Sequence, residues 1–542
     1  MMPFLPLLAC IFQLTSTAFG ATAEQWRGRS IYQILTDRFA LPAGADPTTC
    51  DTGAQTWCGG TWNTIRENLD YIQDAGFTAI WISPVNQNYQ GPRTAYGDPY
   101  HGYWMADITK LNDRFGKAED LKALIDELHR RDMYIMVDIV VNNVMATSTE
   151  PDYSSYLFND AAFYHNYCPV KYGNPDSERN CWMGDTRVTL PDVDTSNPSV
   201  IRAYGEWAKA FVEQWGVDGF RIDAAKHVEP DFWPKFCGPA GVFCIGEVYG
   251  DDVDLAASFQ GPKALDSVLN YPMYGALQKA FMIPGSQNAS ALEEVLGEER
   301  RKFKDLTVLG NFLENQDLPR WHNSSVDPQS LYNAMAWTFM TDGIPIVYYG
   351  QEQGFSGIAD PHNREPLWPS KYEKGASYRL IQQLNQLRNF LVRTTPEWLV
   401  DPVKVLSVNE FAIVIQKGYV VSVLTTIGSP PNGKATINAK TSFKPSTAMT
   451  DIITCHQWVI GASGLIQVEY SKGGVPIILV PSPDLAGSGM CGESLNVQRG
   501  GRVKGGLVSE SESGVRGMRE KRGGRGRWMG WGLGAFVGWA LM

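Results

Sequence analysis

The sequence is short of apolar runs that could cross a membrane. Trp528 to Met542 (WMGWGLGAFVGWALM) is apolar and uncharged but covers about 15 residues, where a spanning helix needs about 20. It is also short of positive charge, with a formal net charge of -11. Nine Lys/Arg against three Glu sit between Arg499 and Arg527, which leaves the rest of the chain near -17. So acidic a body speaks against nucleic acid as a partner and suits a neutral ligand such as a sugar. No internal repeat shows beyond an alternation of strand and helix patterns. With 44% hydrophobic and 12% aromatic residues among 542, the chain is neither disordered nor fibrous, and it can bury a large core plus one or two smaller domains.

Cysteines are few, nine in all. The first, Cys10, lies in a segment that reads as a signal peptide over residues 1–20: an apolar run from Phe4 to Phe12, then Ala18 and Gly20 as small residues before a cut near Ala21. No Lys or Arg precedes that run, and a buried first helix is the alternative. Removing the leader leaves eight cysteines spaced as local pairs, as a secreted protein would carry them. Cys50–Cys58, Cys168–Cys181 and Cys455–Cys491 are the expected bridges. Cys237 and Cys244 either close a small loop or leave a buried free thiol. Sequons at Asn288 and Asn323 agree with the secretory route. At the other end, residues 492–542 combine small residues around Ser513, a polar Gly/Ser/Arg-rich spacer and the short apolar run, the pattern of a GPI-attachment signal. This implies a lipid anchor at a membrane or cell wall, against an RNA-binding or simply disordered tail.

From Ser30 to Leu391, short β-branched runs alternate with amphipathic helical stretches such as AEDLKALIDELHRRDM from Ala118. Seven strand candidates, beginning at Ser30, Thr78, Tyr134, Gly219, Phe243, Val308 and Ile344, plus an eighth near Ser267, indicate an α/β fold: a (β/α)8 TIM barrel over 21–141 and 199–395. The rhythm stops over 142–198, an aromatic, Asn/Asp-rich insertion after the third strand. Over 396–491, short strands broken by Gly, Pro and Asn indicate an antiparallel β domain.

Polar residues gather at the C-terminal ends of the proposed strands, where barrel active sites are built. Arg221 and Asp223 stand two apart on one strand and face the same way, so the guanidinium is expected to keep the carboxylate ionised. Glu247 ends the next strand and Asp317 a later one. Two carboxylates about 5 Å apart, one ionised and one protonated, are what a retaining glycosidase needs; a lone Asp at a strand end is more often a helix cap.

The stretches DIVVNN from Asp138, GFRIDAAKHV from Gly219, IGEV from Ile245 and LENQD from Leu313, with YGDPYHGYW, CWMGDTRVTLPDVD and DPHNRE, occur in this order over roughly Ala21 to Cys491. In this the chain resembles the α-amylase family of glycoside hydrolases, and most closely its fungal members. The resemblance implies Asp223 as nucleophile, Glu247 as general acid/base and Asp317 as the carboxylate that grips sugar hydroxyls in the transition state. It implies sugar contacts from His101, Tyr103, Trp104, Asn143, Arg221, Lys226, His227, Asp251, Gln316, Asp360 and Arg364, though Trp104 would serve equally as core. It implies calcium held by Asn142, Asp192 and the main-chain oxygen of His227. Arg179 stands where fungal members have a carboxylate, and Glu178 or Asn180 would have to substitute.

Two motifs depart from the family. The first ends in Asn143 and the fourth carries Gln316, both where the family has His. Amides keep neutral donors but change reach and lose any positive charge. This pattern and the tail resemble the GPI-anchored fungal 4-α-glucanotransferases, so the leading expectation is transfer of maltooligosaccharide units between α-1,4-glucans, as a monomer, in cell-wall α-glucan metabolism. The alternatives are a secreted or anchored α-amylase and a catalytically silent glucan-binding wall protein.

Overall fold

A computed structural model describes residues 20–430, 435–470 and 473–493; the expected leader over 1–20, its last residue apart, and the tail around Ser513 lie outside them. Eight parallel strands form the central sheet: β1 (Ile31–Ile34), β2 (Ala79–Ile82), β3 (Tyr134–Ile139), β4 (Gly219–Ile222), β5 (Phe243–Gly246), β6 (Ser267–Val268), β7 (Gly310–Asn311) and β8 (Ile344–Tyr348). Their order is β6-β5-β4-β3-β2-β1-β8-β7, and a parallel bridge between Leu269 and Gly310 joins the two edges, closing a barrel. Every residue of β1, β2, β4, β5 and β8 is buried, as expected of strands covered on both faces.

Side-chain alternation divides these strands between two cores. Ile31, Ala79, Trp81, Met136, Phe243, Ile245, Ile344 and Ile346 belong to one cluster, which fills the barrel. Their neighbours Tyr32, Ile80, Ile82, Ile135, Val137, Cys244 and Val347 belong to another, packed under the surrounding helices. Gly310 fits this crowded interior because a Cβ there would stand 2.8 Å from Ile245 and 2.9 Å from Ile346. The helix Ala118–Arg130 covers the outer core with Leu121, Leu124, Ile125 and Leu128.

Two interruptions leave the barrel's C-terminal side. After β2 the chain makes the hairpin Asn86–Asn88 with Met105–Leu111, whose loop carries His101, Tyr103 and Trp104. After β3 it makes the irregular segment that runs to the helix Pro198–Trp215. Asn197 caps that helix by accepting from the Ser199 N–H, and Gly216 ends it in the left-handed region.

After the helix Ala376–Thr394 come eight antiparallel strands: β9 (Lys404–Val408), β10 (Ala412–Lys417), β11 (Val420–Thr425), β12 (Ala435–Lys440), β13 (Ala448–Asp451), β14 (Gln457–Val459), β15 (Leu465–Tyr470) and β16 (Ile477–Pro481). Six form a sheet in the order β9-β10-β11-β16-β13-β14, and β12 pairs with β15. The two sheets share a core containing Val421, Val423, Ile437, Ile466 and Leu479. A buried Lys417–Asp342 ion pair ties this unit to the barrel.

Disulfides close Cys50–Cys58, Cys168–Cys181, Cys455–Cys491 and also Cys237–Cys244, the pair the spacing had left open. Asn288 and Asn323 are exposed. No helix of the described residues is long and apolar enough to cross a membrane.

Candidate active site

The alternation that fills the barrel also builds the cleft. Two residues beyond the inward-facing Met136 comes Asp138, two beyond Ile245 comes Glu247, and Gly219, Arg221 and Asp223 continue one phase. Asp138 and Arg221 are direct partners in the β3–β4 register. The Arg221 guanidinium, fully buried, is the hub. Its Nη1 donates to Asp138 Oδ1 at 2.9 Å and to Asp223 Oδ1 at 2.7 Å, and its Nη2 to Glu247 Oε2 at 2.7 Å. Burial works against its charge, but Asp138 and Glu247 outweigh this and raise its pKa.

The carboxylates answer differently from the sequence expectation. Burial pushes Asp223 well above the ordinary aspartate range, and Arg221 offsets only part of this. One guanidinium is shared among three carboxylates, and Glu247 and Asp138 add to the rise. Asp317 is pushed up to about 7 by burial and by the nearby Glu247, against the pull of Arg364 and Arg221. Arg364 links Asp317 (3.4 Å) to Asp360 (3.0 Å) and donates through Nε to the main-chain oxygen of Gln316.

The bonding also sorts the oxygens. Glu247 Oε2 accepts from Arg221 and from the Ala224 N–H at 3.0 Å, whereas Oε1 has only the Tyr271 hydroxyl at 3.5 Å. Any proton on Glu247 therefore sits on Oε1. In the same way Oδ1 of Asp223 is bound to Arg221, and Oδ2 is the oxygen left for a ligand.

His101, Tyr103, Trp104, Asn143, Asp223, Gln316, Asp317 and Arg364 line one cavity with Met183 and Leu190. His101 Nδ1 accepts from the Tyr103 N–H at 3.0 Å; burial, then Arg364 and Arg38, push the ring's pKa well down. It is neutral, with its hydrogen on Nε2. Trp104 is 2% exposed and packs with Met145, Met183 and Val188, so it is cavity wall and core together, not an open platform. Lys226 pairs with Glu178 at 3.4 Å, and buried His227 holds the main-chain oxygen of Glu178 through Nδ1 at 2.7 Å. Asp251 is exposed and stands outside this bonded network.

Asp138 and Gln33 escaped the sequence reading. Asp138 also accepts from Trp81 Nε1 (3.0 Å) and the Tyr103 hydroxyl (2.7 Å). The signal for both was a polar residue inside an apolar strand, in phase with the inward-facing set.

Residues 33–398 match the α-amylase catalytic domain, and residues 405–498 match the α-amylase domain C. The chain belongs to the α-amylase family. It is 40% identical over 491 residues to α-amylase 2 of Schwanniomyces occidentalis, covering 89% of this chain and 95% of that one. The solved α-amylase of Malbranchea cinnamomea superposes with a TM-score of 0.84 at 37% identity, over 87% of this chain and all of the other. A cyclomaltodextrin glucanotransferase, CldA, shares the fold at 24% identity, with a TM-score of 0.71 over 83% of this chain and 99% of its own. The protein is thus an α-amylase-family glycoside hydrolase. The names of its nearer relatives favour the amylase alternative over the glucanotransferase expectation. Four disulfides suit the secretory route of such fungal enzymes.

Proposed function

We propose that the protein cleaves internal α-1,4 bonds of α-glucans with retention of configuration. The observation that carries this is Arg221 gripping Asp223 and Glu247 with its two terminal nitrogens. One planar guanidinium keeps the two carboxylates close, as the short spacing of about 5 Å in retaining enzymes requires. Oδ2 of Asp223 attacks the sugar C1 while the C1–O bond breaks and the proton on Glu247 Oε1 passes to the departing oxygen. Then water gives its proton to Glu247 and attacks C1, and Asp223 is released. Asp317, held by Arg364, accepts from sugar hydroxyls as charge develops on the ring. A silent binding protein has no need of this arrangement.

Transfer to a second glucan is the other reading, favoured by Asn143 and Gln316 lining the same cavity. An acceptor sugar contributes binding energy along its length and water contributes none, so weakened contacts around the reacting sugar handicap water more. With maltoheptaose as the one substrate, reducing ends are expected to rise as bonds are cut, and early samples are expected to hold some oligosaccharides longer than seven units. A static count of reducing ends would overturn hydrolysis. A complete lack of longer products would overturn transfer. The tail over 492–542 we assign to membrane or wall attachment, on its composition alone.

The residues proposed to hold calcium fit an oxygen-loving cation in part. Buried Asp192 Oδ1 has no hydrogen-bond partner, and Asn142 is buried as well; with the His227 main-chain oxygen these are hard oxygen donors. Arg179 takes no part, since it pairs with Glu229 at 2.9 Å. Of the suggested substitutes, Glu178 has its Oε1 engaged by Lys226 and the Gly173 N–H, while Asn180 donates to the Asp176 main chain through its amide nitrogen, which leaves the amide oxygen as a neutral donor for the ion. Among the described residues no three His, Cys, Asp or Glu side chains cluster as ligands, so the ion would rest on one carboxylate and neutral oxygens. When bound it would clamp the insertion to the barrel. Removing it with a chelator is expected to lower the melting temperature, since a ligand present at about 100 times its Kd adds about 2.7 kcal/mol to folding. Asp192→Asn should abolish that difference. An equal melting temperature with and without calcium in the native protein would refute the site.

A further inference from the structure

Gln33 is a buried amide in the middle of the apolar strand β1, 3% exposed, in phase with the barrel-filling Ile31. Its Nε2 donates to Gln316 Oε1 at 2.5 Å, and Gln316 Nε2 donates to the Tyr103 hydroxyl at 2.9 Å. The hydroxyl donates in turn to Asp138 Oδ2 at 2.7 Å.

The direction of this chain is forced from its far end. Both oxygens of Asp138 accept from Arg221 Nη1, and Oδ2 accepts from Trp81 Nε1 as well, so the hydroxyl spends its single hydrogen there and accepts from Gln316. Gln316 must therefore present its NH2 to Tyr103 and its oxygen to Gln33, and Gln33 must present a donor. One N–H of Gln316 is consumed by Tyr103, and one remains for the cavity that this residue lines with Asp223 and Asp317.

We propose that Gln33 is a positioning residue for the cleft: by holding the oxygen of Gln316 it fixes the amide with its remaining N–H as the donor offered to the bound glucan. Gln33 and Gln316 then act as a unit, and the effect of either depends on the other. The proposal rests on the reading of this cavity as the sugar site. After donating to Tyr103 and accepting from Gln33, the amide still has one donor to offer.

A double-mutant cycle tests it. Gln33→Leu removes the donor, Gln316→Ala removes what it orients, and maltoheptaose is the probe. Two quantities are measured on each protein: kcat/KM, and the Kd by calorimetry in a Glu247→Gln background where turnover is stopped. Gln33→Leu is expected to lower kcat/KM and weaken binding by about tenfold in the native background, the scale of one buried hydrogen bond. In the Gln316→Ala background it should change either by less than about twofold. Equal losses in both backgrounds, or no loss in the first, would overturn the proposal. If Gln33→Leu does not fold, as judged by its melting curve, Gln33→Met of similar length replaces it; a thioether cannot donate, and the same pattern is expected. Failure of the native protein to turn over maltoheptaose would count against the proposed function alone, because the binding arm still reads the coupling.

Discussion

Asp223→Asn and Glu247→Gln are each expected to lower kcat on α-1,4-glucan by at least about a thousandfold, while the melting temperature stays level or rises. The two halves of the expectation share one cause. Four acidic side chains, Asp138, Asp223, Glu247 and Asp317, stand around Arg221 and Arg364, and Asp317 feels both Glu247 and burial as penalties on its charge. Function needs that charge, because one carboxylate must attack and another must shuttle a proton; the fold would be better without some of it. Asp317→Asn should show the same trade-off with a pH signature. Its folded pKa of about 7 lies above the ordinary 3.8, so its contribution to stability is fully present below about pH 4 and is lost as pH rises through 7. The asparagine variant should therefore gain most over the native protein at pH 8 and least at pH 4. Initial rates on maltoheptaose and thermal melts across that range check both points. Near-native turnover by a correctly folded Glu247→Gln would remove the assignment of the acid.

Much of the fold was legible because the barrel strands obey a two-residue alternation that sequence shows directly. Strand β6 was the hardest to see: it spans only two residues, too short to leave a clear pattern, and its place is set by neighbours already in the sheet. Of the cleft, Arg221 and Asp223 were legible from their spacing on one strand, and the other carboxylates from strand ends. What could not be read was sharing. Sequence shows Arg221 beside Asp223 but not that the pair is buried, nor that Asp138 and Glu247 share the same guanidinium; burial first, and then these two carboxylates, leave Asp223 raised. The same holds for Gln316, which looks like a lost imidazole in the sequence. Its partners, Gln33 and Tyr103, lie 283 and 213 residues away, and only their hydrogen-bond directions show what the amide can offer.

Arg221→Met is expected to have the largest effect on stability, about 3–5 kcal/mol, because it strands buried charge instead of removing a whole pair. Methionine matches the stem of the side chain but leaves Asp138, Asp223 and Glu247 with no cation among them. Asp138 and Asp223 already sit above their ordinary range because of burial, and without the guanidinium they rise further. A carboxylate raised in the folded state contributes its stability at low pH and loses it as pH rises. The deficit of the variant should therefore be small near pH 4–5, where protonation relieves it, and grow steadily toward pH 8. Arg221→Lys keeps one positive charge but not two nitrogens in a plane, so it cannot grip Asp223 and Glu247 together. It should recover part of the stability at pH 8 while kcat stays at least about a hundredfold down, since the carboxylates lose their mutual placement. Denaturant midpoints for the three proteins at pH 5 and pH 8, with rates on maltoheptaose, separate the two roles. A deficit in Arg221→Met that is the same at both pH values would mean that its cost is lost packing, and that the carboxylates around it do not depend on its charge.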